Sequence, residues 1–348
     1  MSDMREKFIK NSRTILSNPH TSKGSQSTQK IDPKQFGKVG LLMGGGSGER
    51  AVSLESGKAI FDAMKRQGIQ VEAIDVQGDF IPKLVQGQFD LVFNIVHGKQ
   101  GEDGVLQGLL EMLGLPYVGS RVAASAFAMD KARSKLIWST LGLPTAPFGV
   151  AYDLDEAKEI VEALNYFPLA VKPNGEGSSL GVTKLEKLSD LPKAFGLARQ
   201  YGAVIIEKWI QGDDFFVSIV GDEVYPAVQV KSASAFYDYH AKYHSEETVY
   251  LCPPPIQPDE AKTLSRIAEE AYYALGCQGW GRVDLVRDQS GQFWVLEVNT
   301  LPGMTSHSLV PMSARAAGLS FDELVVKILS TSLIDAERER KQVHGAQV

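Results

Sequence analysis

The sequence predicts an α/β protein with more than one compact unit, on three observations. Residues 38–98 alternate buried-strand patterns with a helical pattern, which is typical of a parallel sheet with helices on its faces. Residues 167–182 contain two strand patterns separated by a glycine- and serine-rich loop. Residues 281–299 contain two short apolar runs separated by DQSG, which is the pattern of a β-hairpin.

Composition limits the possible functions. The chain has 348 residues, 43% hydrophobic and 22% charged, which suits two or three compact units. A net charge of -6 without a long basic block argues against nucleic acid as a partner. Cys252 and Cys277 lack metal-type spacing and indicate thiols in a reducing compartment. No apolar leader or twenty-residue apolar run is present, so we expect no membrane partner and a cytoplasmic location; residues 1–37 are expected to be a flexible polar tail.

The predicted hairpin carries polar residues that an ordinary core would exclude. With strands at 281–287 and 292–299 and a four-residue loop, alternation places one polar set on a single face: Arg282, Asp284, Glu297 and Asn299. The opposite face would then be core: Val283, Leu285, Leu296 and Val298. A three- or five-residue loop without a bulge would separate the polar set.

This polar face suits a cation and an anion together. Asp284, Glu297 and Asn299 offer the hard oxygen ligands that Mg²⁺ takes beside phosphate oxygens. The tight turn and helical pattern of 299–309 would present free N–H groups to an anion. The alternative is a cross-strand ion pair between Arg282 and Glu297, with Asn299 ending the strand.

The amino-terminal unit has its candidate residues where strands end. Glu49 follows the strand KVGLLM, and His97 ends the strand DLVFNIVHG; loops at the carboxyl ends of parallel strands commonly carry function. A rival interpretation is a nicotinamide-dependent oxidoreductase, because Gly46, Gly48 and Ala51 fit a dinucleotide-binding fingerprint. Against it, the acidic residue that ends the next strand comes later than the usual spacing of about 20 residues.

Two middle stretches point to a nucleotide. The strand ending in Lys172 leads into a Gly and Ser loop, whose backbone N–H groups could close over phosphates; the alternative is a mobile surface loop. The segment 207–210 could hold adenine between units and Asp214 the ribose, although both could equally form a charged edge. Lys131 and Lys135 lie on a helix beginning near Asp130, where a lysine is most often solvated.

Together these stretches resemble the D-alanine-D-alanine ligases of the ATP-grasp superfamily from about Lys38 to about Leu333. The resemblance is carried by the following motifs: GGGSGERAVSL, HGKQGEDG, GLPYVGS, MDKARSK, VKPNGEGSSLGV, IEKWI, FYDYHAKY, GWGRVDL and EVNTLPGMTSHSLVP. It implies an ATP-grasp fold with an amino-terminal parallel α/β domain (38–119), a central α+β domain (120–206) and a carboxyl-terminal α+β domain (207–340). It also implies ATP between two sheets, two Mg²⁺ or Mn²⁺ ions and a homodimer.

The resemblance implies roles residue by residue. For the nucleotide these are Lys131, Lys172, Glu207, Lys208, Ile210, Asp214 and Lys242. For the metal they are Asp284, Glu297 and Asn299. For the substrates and catalysis they are Glu49, His97, Ser178, Tyr243, Arg282, Gly303, Ser308 and Leu309. The sequence departs from the family at Asp214, where Glu is common, and at Ala51, where many relatives carry Glu.

The implied reaction is ATP-dependent ligation of two D-alanine molecules through an acylphosphate, for peptidoglycan precursors. The second substrate could instead be D-lactate or D-serine, although Tyr243 favours D-alanine. A non-catalytic ATP-binding regulator would require a damaged set of site residues, and every matched metal and phosphate position is present. We expect the loops at 174–181 and 235–249 to be mobile without ligand and to close over the acylphosphate, because water would hydrolyse it.

Overall fold

The structure, a computed structural model, describes residues 32–231 and 248–345, with side chains as far as residue 333. The predicted loop at 235–249 and the tail therefore lie mostly outside the described residues. The described chain forms three sheets. None of the helices in these ranges is long and apolar enough to cross a membrane.

The first sheet is parallel, as the βαβ pattern predicts. Its strands, in the order β2-β1-β3, are Lys38–Met43 (β1), Gln70–Asp75 (β2) and Leu91–Asn94 (β3). The helices are Arg50–Arg66 (α1), Ile81–Gln86 (α2) and Val105–Met112 (α3). The β1 strand is central and buried because its apolar residues face helices on both sides. Gly68 has φ 73° just beyond α1, a conformation that suits glycine at the end of a helix.

The second sheet is antiparallel and follows two connecting helices, Val122–Met129 (α4) and Lys131–Thr140 (α5). Its strands, in the order β4-β7-β5-β6, are Phe148–Ala151 (β4), Leu169–Pro173 (β5), Thr183–Leu185 (β6) and Val204–Lys208 (β7). The helices Leu154–Leu164 (α6) and Leu191–Arg199 (α7) cover one face. Asp153 begins α6 by accepting hydrogen bonds from two backbone N–H groups of the first turn.

The third sheet carries the predicted hairpin. Its strands are Gly212–Val220 (β8), Glu223–Val224 (β9), Val228–Lys231 (β10), Val249–Leu251 (β11), Trp280–Asp288 (β12) and Phe293–Asn299 (β13). The order is β11-β10-β8-β12-β13, and β9 pairs with β8. The helices are Pro258–Ala274 (α8), Leu309–Ala316 (α9) and Phe321–Gly345 (α10).

The hairpin differs from its predicted register. The Asp288 N–H bonds to the Gln292 carbonyl at 2.9 Å, so the loop is one residue shorter than predicted. A bulge then shifts the pairing between Asp284 and Leu285, so that Asp284 lies opposite Glu297. Because a bulge inserts one extra residue, it compensates for the shorter loop and returns the polar residues to one face.

The bulge also corrects the predicted core. Leu296 is the residue without a partner in the register, and it is half-buried at the wall of a cleft instead of being core. Val295 takes its place in the core with no exposed surface. Val283, Leu285 and Val298 are buried, as predicted.

The first and third sheets share one hydrophobic core. Phe93 of β3 packs on Trp280 of β12 with ring centroids 5.9 Å apart, and this core continues into α10. The two backbones touch beside it, since a Cβ on Gly279 would lie 2.7 Å from the Gly119 Cα. The second sheet has a separate core of its own, whereas α4 and α5 pack against the third sheet. The predicted domain boundaries at 120 and 207 stay predictions.

Gly279→Ala is expected to destabilise the protein by about 1–3 kcal/mol, because Gly279 has φ 75° and its new methyl group would meet backbone. Gly196→Ala is the matched control: it lies exposed within α7, and nothing would meet its new Cβ. That change should stabilise by up to about 1 kcal/mol. Denaturant unfolding measures both, and equal effects of the two substitutions would contradict the close-approach argument.

Candidate active site

Two connected cavities lie between the sheets. The larger, which we call the cleft, has about 1370 Å³ of open space between the second and third sheets. The smaller, which we call the end pocket, has about 800 Å³ and lies where α1, the end of β3 and the turn before α9 meet. Gly177 and Glu297 line both cavities, so the two cavities adjoin.

The four polar residues of the hairpin line these cavities. Arg282 donates from Nε and Nη2 to the two oxygens of Asp284, at 2.6 and 2.8 Å. Glu297 lies 3.1 Å from the ammonium of Lys131. The register sets Arg282 opposite Asn299 and Asp284 opposite Glu297.

The donor set on the hairpin fits a hard divalent cation. Asp284 and Glu297 are cross-strand neighbours, and Asn299 is two residues further along β13 on the same face. Two carboxylates and an amide oxygen leave positions for phosphate oxygens and water, as Mg²⁺ prefers. Among the described residues no group of three or more His, Cys, Asp or Glu side chains could hold a metal ion.

A buried group of charges lies at the inner wall of the cleft. Glu207 is 3% exposed and touches two ammonium groups, Lys135 at 2.7 Å and Lys172 at 2.5 Å. Burial alone would raise the pKa of the Glu207 carboxyl, but the two lysines outweigh it and lower that pKa to about 2. Lys131 and Lys135 are 7% and 0% exposed, so the usual solvated position of a lysine is wrong for both.

The glycine- and serine-rich loop at 174–181 lies against both cavities. Ser178 donates a hydrogen bond to Glu49, Lys99 lies 2.6 Å from the Glu176 carboxylate, and Lys131 donates to the Glu176 carbonyl at 2.6 Å. Ser178 and Ser179 have φ values of 50° and 57°. These values lie in the left-handed region of the backbone, which residues other than glycine rarely occupy. The contacts therefore hold the loop in a strained backbone conformation.

Glu49 and His97 meet in the end pocket, although about 50 residues separate them. Glu49 precedes the first residue of α1, where the helix dipole stabilises a negative charge. His97 Nδ1 lies 3.3 Å from Glu102, and its buried Nε2 has no partner among the described residues, so Nε2 is available to a ligand. Burial raises the pKa of the Glu102 carboxyl.

The predicted dinucleotide fingerprint serves another purpose. Asp75, the acid that ends β2, pairs with Arg50, the first residue of α1. Hydrogen bonds from Arg50, then from the Gln77 and Gly45 backbone, lower the pKa of Asp75 to about 2. The ion pair fixes the start of α1 beside Glu49, and it occupies the carboxylate that would otherwise receive a ribose.

The turn before α9 closes the far side of the end pocket. Ser308 directly precedes α9, and its Oγ accepts the Thr305 N–H at 2.9 Å instead of an N–H of the helix. Gly303 lies against it, since a Cβ there would be 3.0 Å from that Oγ. Leu309 begins the helix and is 6% exposed. The N–H groups of this first turn lack helical partners and suit a carboxylate.

The strand-to-strand segment after Glu207 lines the outer part of the cleft. The Lys208 N–H bonds to the Pro147 carbonyl, and its exposed side chain lies over the Tyr166 ring. Ile210 and the half-buried Asp214 also line the cleft. Lys242 and Tyr243, the remaining predicted site residues, lie outside the described residues.

Sequence reasoning missed four residues that border these cavities. Trp209 and Leu296 supply apolar walls to the cleft, Glu176 ties down the loop, and Glu102 holds His97. Trp209 lies inside the motif IEKWI, and its apolar ring within the segment 207–210, the candidate for holding adenine, was the available signal. Leu296 required knowledge of the bulge.

Comparisons with known proteins agree with this architecture. The family model described as D-ala D-ala ligase C-terminus matches residues 137–330, and the model described as D-ala D-ala ligase N-terminus matches residues 80–120. A curated D-alanine–D-alanine ligase from Marinobacter nauticus is 47% identical over 303 residues, which cover 87% of this chain and 93% of the relative.

Three solved structures of similar fold are named as ligases. A D-alanine–D-alanine ligase from Bacillus anthracis has a TM-score of 0.76 and 32% identity, covering 87% of this chain and 99% of that one. The same enzyme complexed with ATP has a TM-score of 0.75 and 31% identity, with the same coverage. The VanG D-Ala:D-Ser ligase from Enterococcus faecalis has a TM-score of 0.74 and 31% identity, covering 85% and 99%.

These relatives confirm the ATP-grasp fold predicted from the sequence. The family model for the carboxyl-terminal part alone spans more than half of the chain, and the Marinobacter relative is matched along nearly its whole length. On both grounds this chain belongs to the D-alanine–D-alanine ligase family.

Proposed function

We propose that this protein joins two D-alanine molecules with ATP, giving D-alanyl-D-alanine, ADP and phosphate for peptidoglycan synthesis. The observation that carries the proposal is the shared wall of the two cavities. The cleft has cationic and carboxylate groups for a nucleotide, the end pocket has groups for two amino acids, and Glu297 and Gly177 border both. A carboxylate held in the end pocket therefore lies beside the phosphate end of the cleft.

The nucleotide occupies the cleft. Lys131 and Lys172 contact its phosphates, and Lys242 is proposed for the same role from the family motif. Glu207, Lys208 and Ile210 flank the adenine, and Asp214 takes the ribose, as the family motif implies. Support comes from the ATP complex of the Bacillus anthracis relative and from the apolar walls of this part of the cleft.

Asp284, Glu297 and Asn299 are the residues that would hold two Mg²⁺ or Mn²⁺ ions. Bound there, the ions would neutralise charge on the transferring phosphoryl group. Arg282 and Lys131 are the cations that balance Asp284 and Glu297 in the structure described here. Both can turn toward substrate oxyanions when their carboxylates acquire another positive partner.

The end pocket receives the two amino acids. Glu49 accepts the ammonium group of the first D-alanine, and His97 lies beside its carboxylate. The N–H groups at Ser308 and Leu309 receive the carboxylate of the second D-alanine. Ser178 holds the loop on Glu49, and Tyr243 is proposed to join it. These roles follow the family motifs, and the convergence of the described residues in one pocket supports them.

The reaction needs positioning and charge stabilisation more than a protein nucleophile. A carboxylate oxygen of the first D-alanine attacks the γ-phosphorus, and ADP leaves. The amine of the second D-alanine then attacks the acyl carbon, loses a proton and expels phosphate. Arg282 and the Gly303 N–H stabilise the tetrahedral oxyanion, and the closed loop excludes water from the acylphosphate.

D-serine is the second candidate for the amine substrate, because one structural relative is a D-Ala:D-Ser ligase. D-alanine is favoured over D-serine because the D-alanine–D-alanine ligase relative has the higher sequence identity, 47% against 31%. D-lactate has no comparable support among these relatives.

We include in the proposal a homodimer and a cytoplasmic location. Among the described residues, Val105 and Met112 of α3 are 60% and 89% exposed to solvent. Two such exposed apolar side chains on one helix suit a contact between subunits. The free thiols of Cys252 and Cys277 suit a reducing compartment.

Sedimentation of the unaltered chain and of Met112→Lys tests the proposed dimer. The variant should dissociate to monomers, and a dimer mass that is unchanged in the variant would exclude this surface as the subunit contact.

Purified protein should release phosphate from ATP only when D-alanine and a divalent cation are both present, with D-alanyl-D-alanine as product. Parallel reactions with L-alanine, with D-alanine plus D-serine or D-lactate, and with chelator are the controls. Phosphate release without D-alanine, or mixed D-alanyl-D-serine as the main product, would contradict the proposed substrate pair.

Arg282→Ala should lower kcat by about 10² to 10³, the usual cost of removing one oxyanion donor. Arg287→Ala is the matched control, because Arg287 lies on the same strand but pairs with Glu260 on α8, away from both cavities. Its activity should stay within about twofold, since a half-exposed ion pair contributes little. Initial rates with both substrates saturating measure kcat for the two variants. Near-normal turnover of Arg282→Ala would exclude the role of Arg282 as an oxyanion donor.

A further inference from the structure

Lys135 is a charged group without access to solvent. It is 0% exposed, yet its Nζ lies 2.7 Å from Glu207 Oε2 and donates to Thr145 Oγ1 at 2.6 Å. The Phe148 ring lies 5.5 Å away. Such burial is costly for an ammonium group and lowers the pKa of Lys135, so the arrangement needs a compensating purpose.

The two lysines together fix the plane of the Glu207 carboxylate. Lys172 lies 2.5 Å from Oε1, and Lys135 takes Oε2. Because each oxygen has its own cation, the carboxylate cannot rotate without losing an ion pair. The contact to Oε2 is not aligned as a hydrogen bond, so this buried oxygen keeps a lone pair for another donor.

Thr145 links this group to the third sheet. Its hydroxyl accepts from Lys135 and donates to the Val295 carbonyl at 3.1 Å, directly beside the bulged Leu296. Lys135 is therefore held from two sides and cannot follow Glu207 if the carboxylate moves. The position of the Glu207 oxygens is set by the scaffold and not by solvent.

The surroundings of Glu207 suit a flat base with an N–H donor. Ala170, Val182, Trp209 and Leu296 line the same cleft as Glu207. Adenine carries an amino group at the ring position where guanine carries a carbonyl oxygen. A carboxylate that stays ionised accepts a hydrogen bond from the first and repels the second.

We propose that Lys135 is a positioning residue that holds the ionised Glu207 carboxylate in one orientation and thereby determines the preference for adenine over guanine nucleotides. The inference rests on the proposed use of ATP. Without Lys135 the Glu207 carboxylate can rotate and take up a proton, and a protonated carboxyl can donate to the guanine carbonyl.

The test is calorimetric binding of ADP and GDP to the unaltered chain, Lys135→Met and Lys193→Met. Lys193 is an exposed lysine on α7 and is the control. Lys135→Met should weaken ADP binding by about tenfold and lower the ADP-to-GDP preference by a similar factor. Lys193→Met should change neither. An unchanged preference in a Lys135→Met protein that melts cooperatively would overturn the proposal.

A double-mutant cycle separates positioning from general damage. If Lys135 acts through Glu207, then Lys135→Met should not change the ADP-to-GDP preference further in a Glu207→Gln background. The KM for D-alanine should also stay unchanged in Lys135→Met, while the KM for ATP rises. Additive losses of preference, or equal rises in both KM values, would indicate a merely structural role and overturn the proposal.

The unaltered chain provides a test that needs no substitution. With the Glu207 pKa at about 2, the ADP-to-GDP preference should be constant from pH 4.5 to 8. A preference that declines toward pH 4.5 would show an ordinary glutamic acid and overturn the proposal. Failure to bind ADP at any pH would instead overturn the proposed use of ATP, so the two failures are distinguishable.

Discussion

The structure depends on one irregularity in β-pairing, the bulge between Asp284 and Leu285. A side-chain period of two cannot tolerate a one-residue slip, because every residue beyond it would change faces. The short loop would impose that slip, and the bulge cancels it. Charged residues consequently face the cleft while Val283 and Val298 stay in the core between β8 and α8. The same bulge places Leu296 at the wall of the cleft.

Charge neutralisation is the second constraint on the cleft. Asp284, Glu297 and Glu207 each have a cationic partner within about 3 Å in the described structure. Unpaired, these groups would be costly to bury between two sheets. The nucleotide and metal ions proposed for this cleft would bring both signs of charge, so they would replace these partners and not merely add charge. Such an exchange would account for the many opposite charges that converge in a cleft of a protein with net charge -6.

Much of this could be predicted from the sequence, for identifiable physical reasons. The strands around Val39, Val171 and Val283 have strong local patterns, and glycine at Gly68 ends a helix by its own conformational preference. The polar residues of each strand could be predicted to share a face because alternation is a local rule, whereas the two strands present them on one side only because the bulge offsets the shorter loop. The bulge was not, because it depends on how β12 pairs with β8 as well as with β13.

Burial of lysines was equally beyond local reasoning. Lys135 is one turn after Lys131 on a short helix, and nothing in that segment distinguishes a solvated lysine from one covered by two sheets. The pairing of Lys135 with Glu207 joins residues 72 positions apart and only exists once the second and third sheets face each other. The roles of Lys242 and Tyr243 remain predictions from motif alone.

The distribution of hydrophobic cores has a mechanical consequence. The first and third sheets share one core, and their backbones approach closely at Gly119 and Gly279, so they are packed as a single block. The second sheet has its own core and meets that block mainly through polar contacts of its loop and of Glu207. If the cleft opens, the separate cores favour movement of the second sheet as a unit, because β1, β3 and α1 would stay packed with the third sheet.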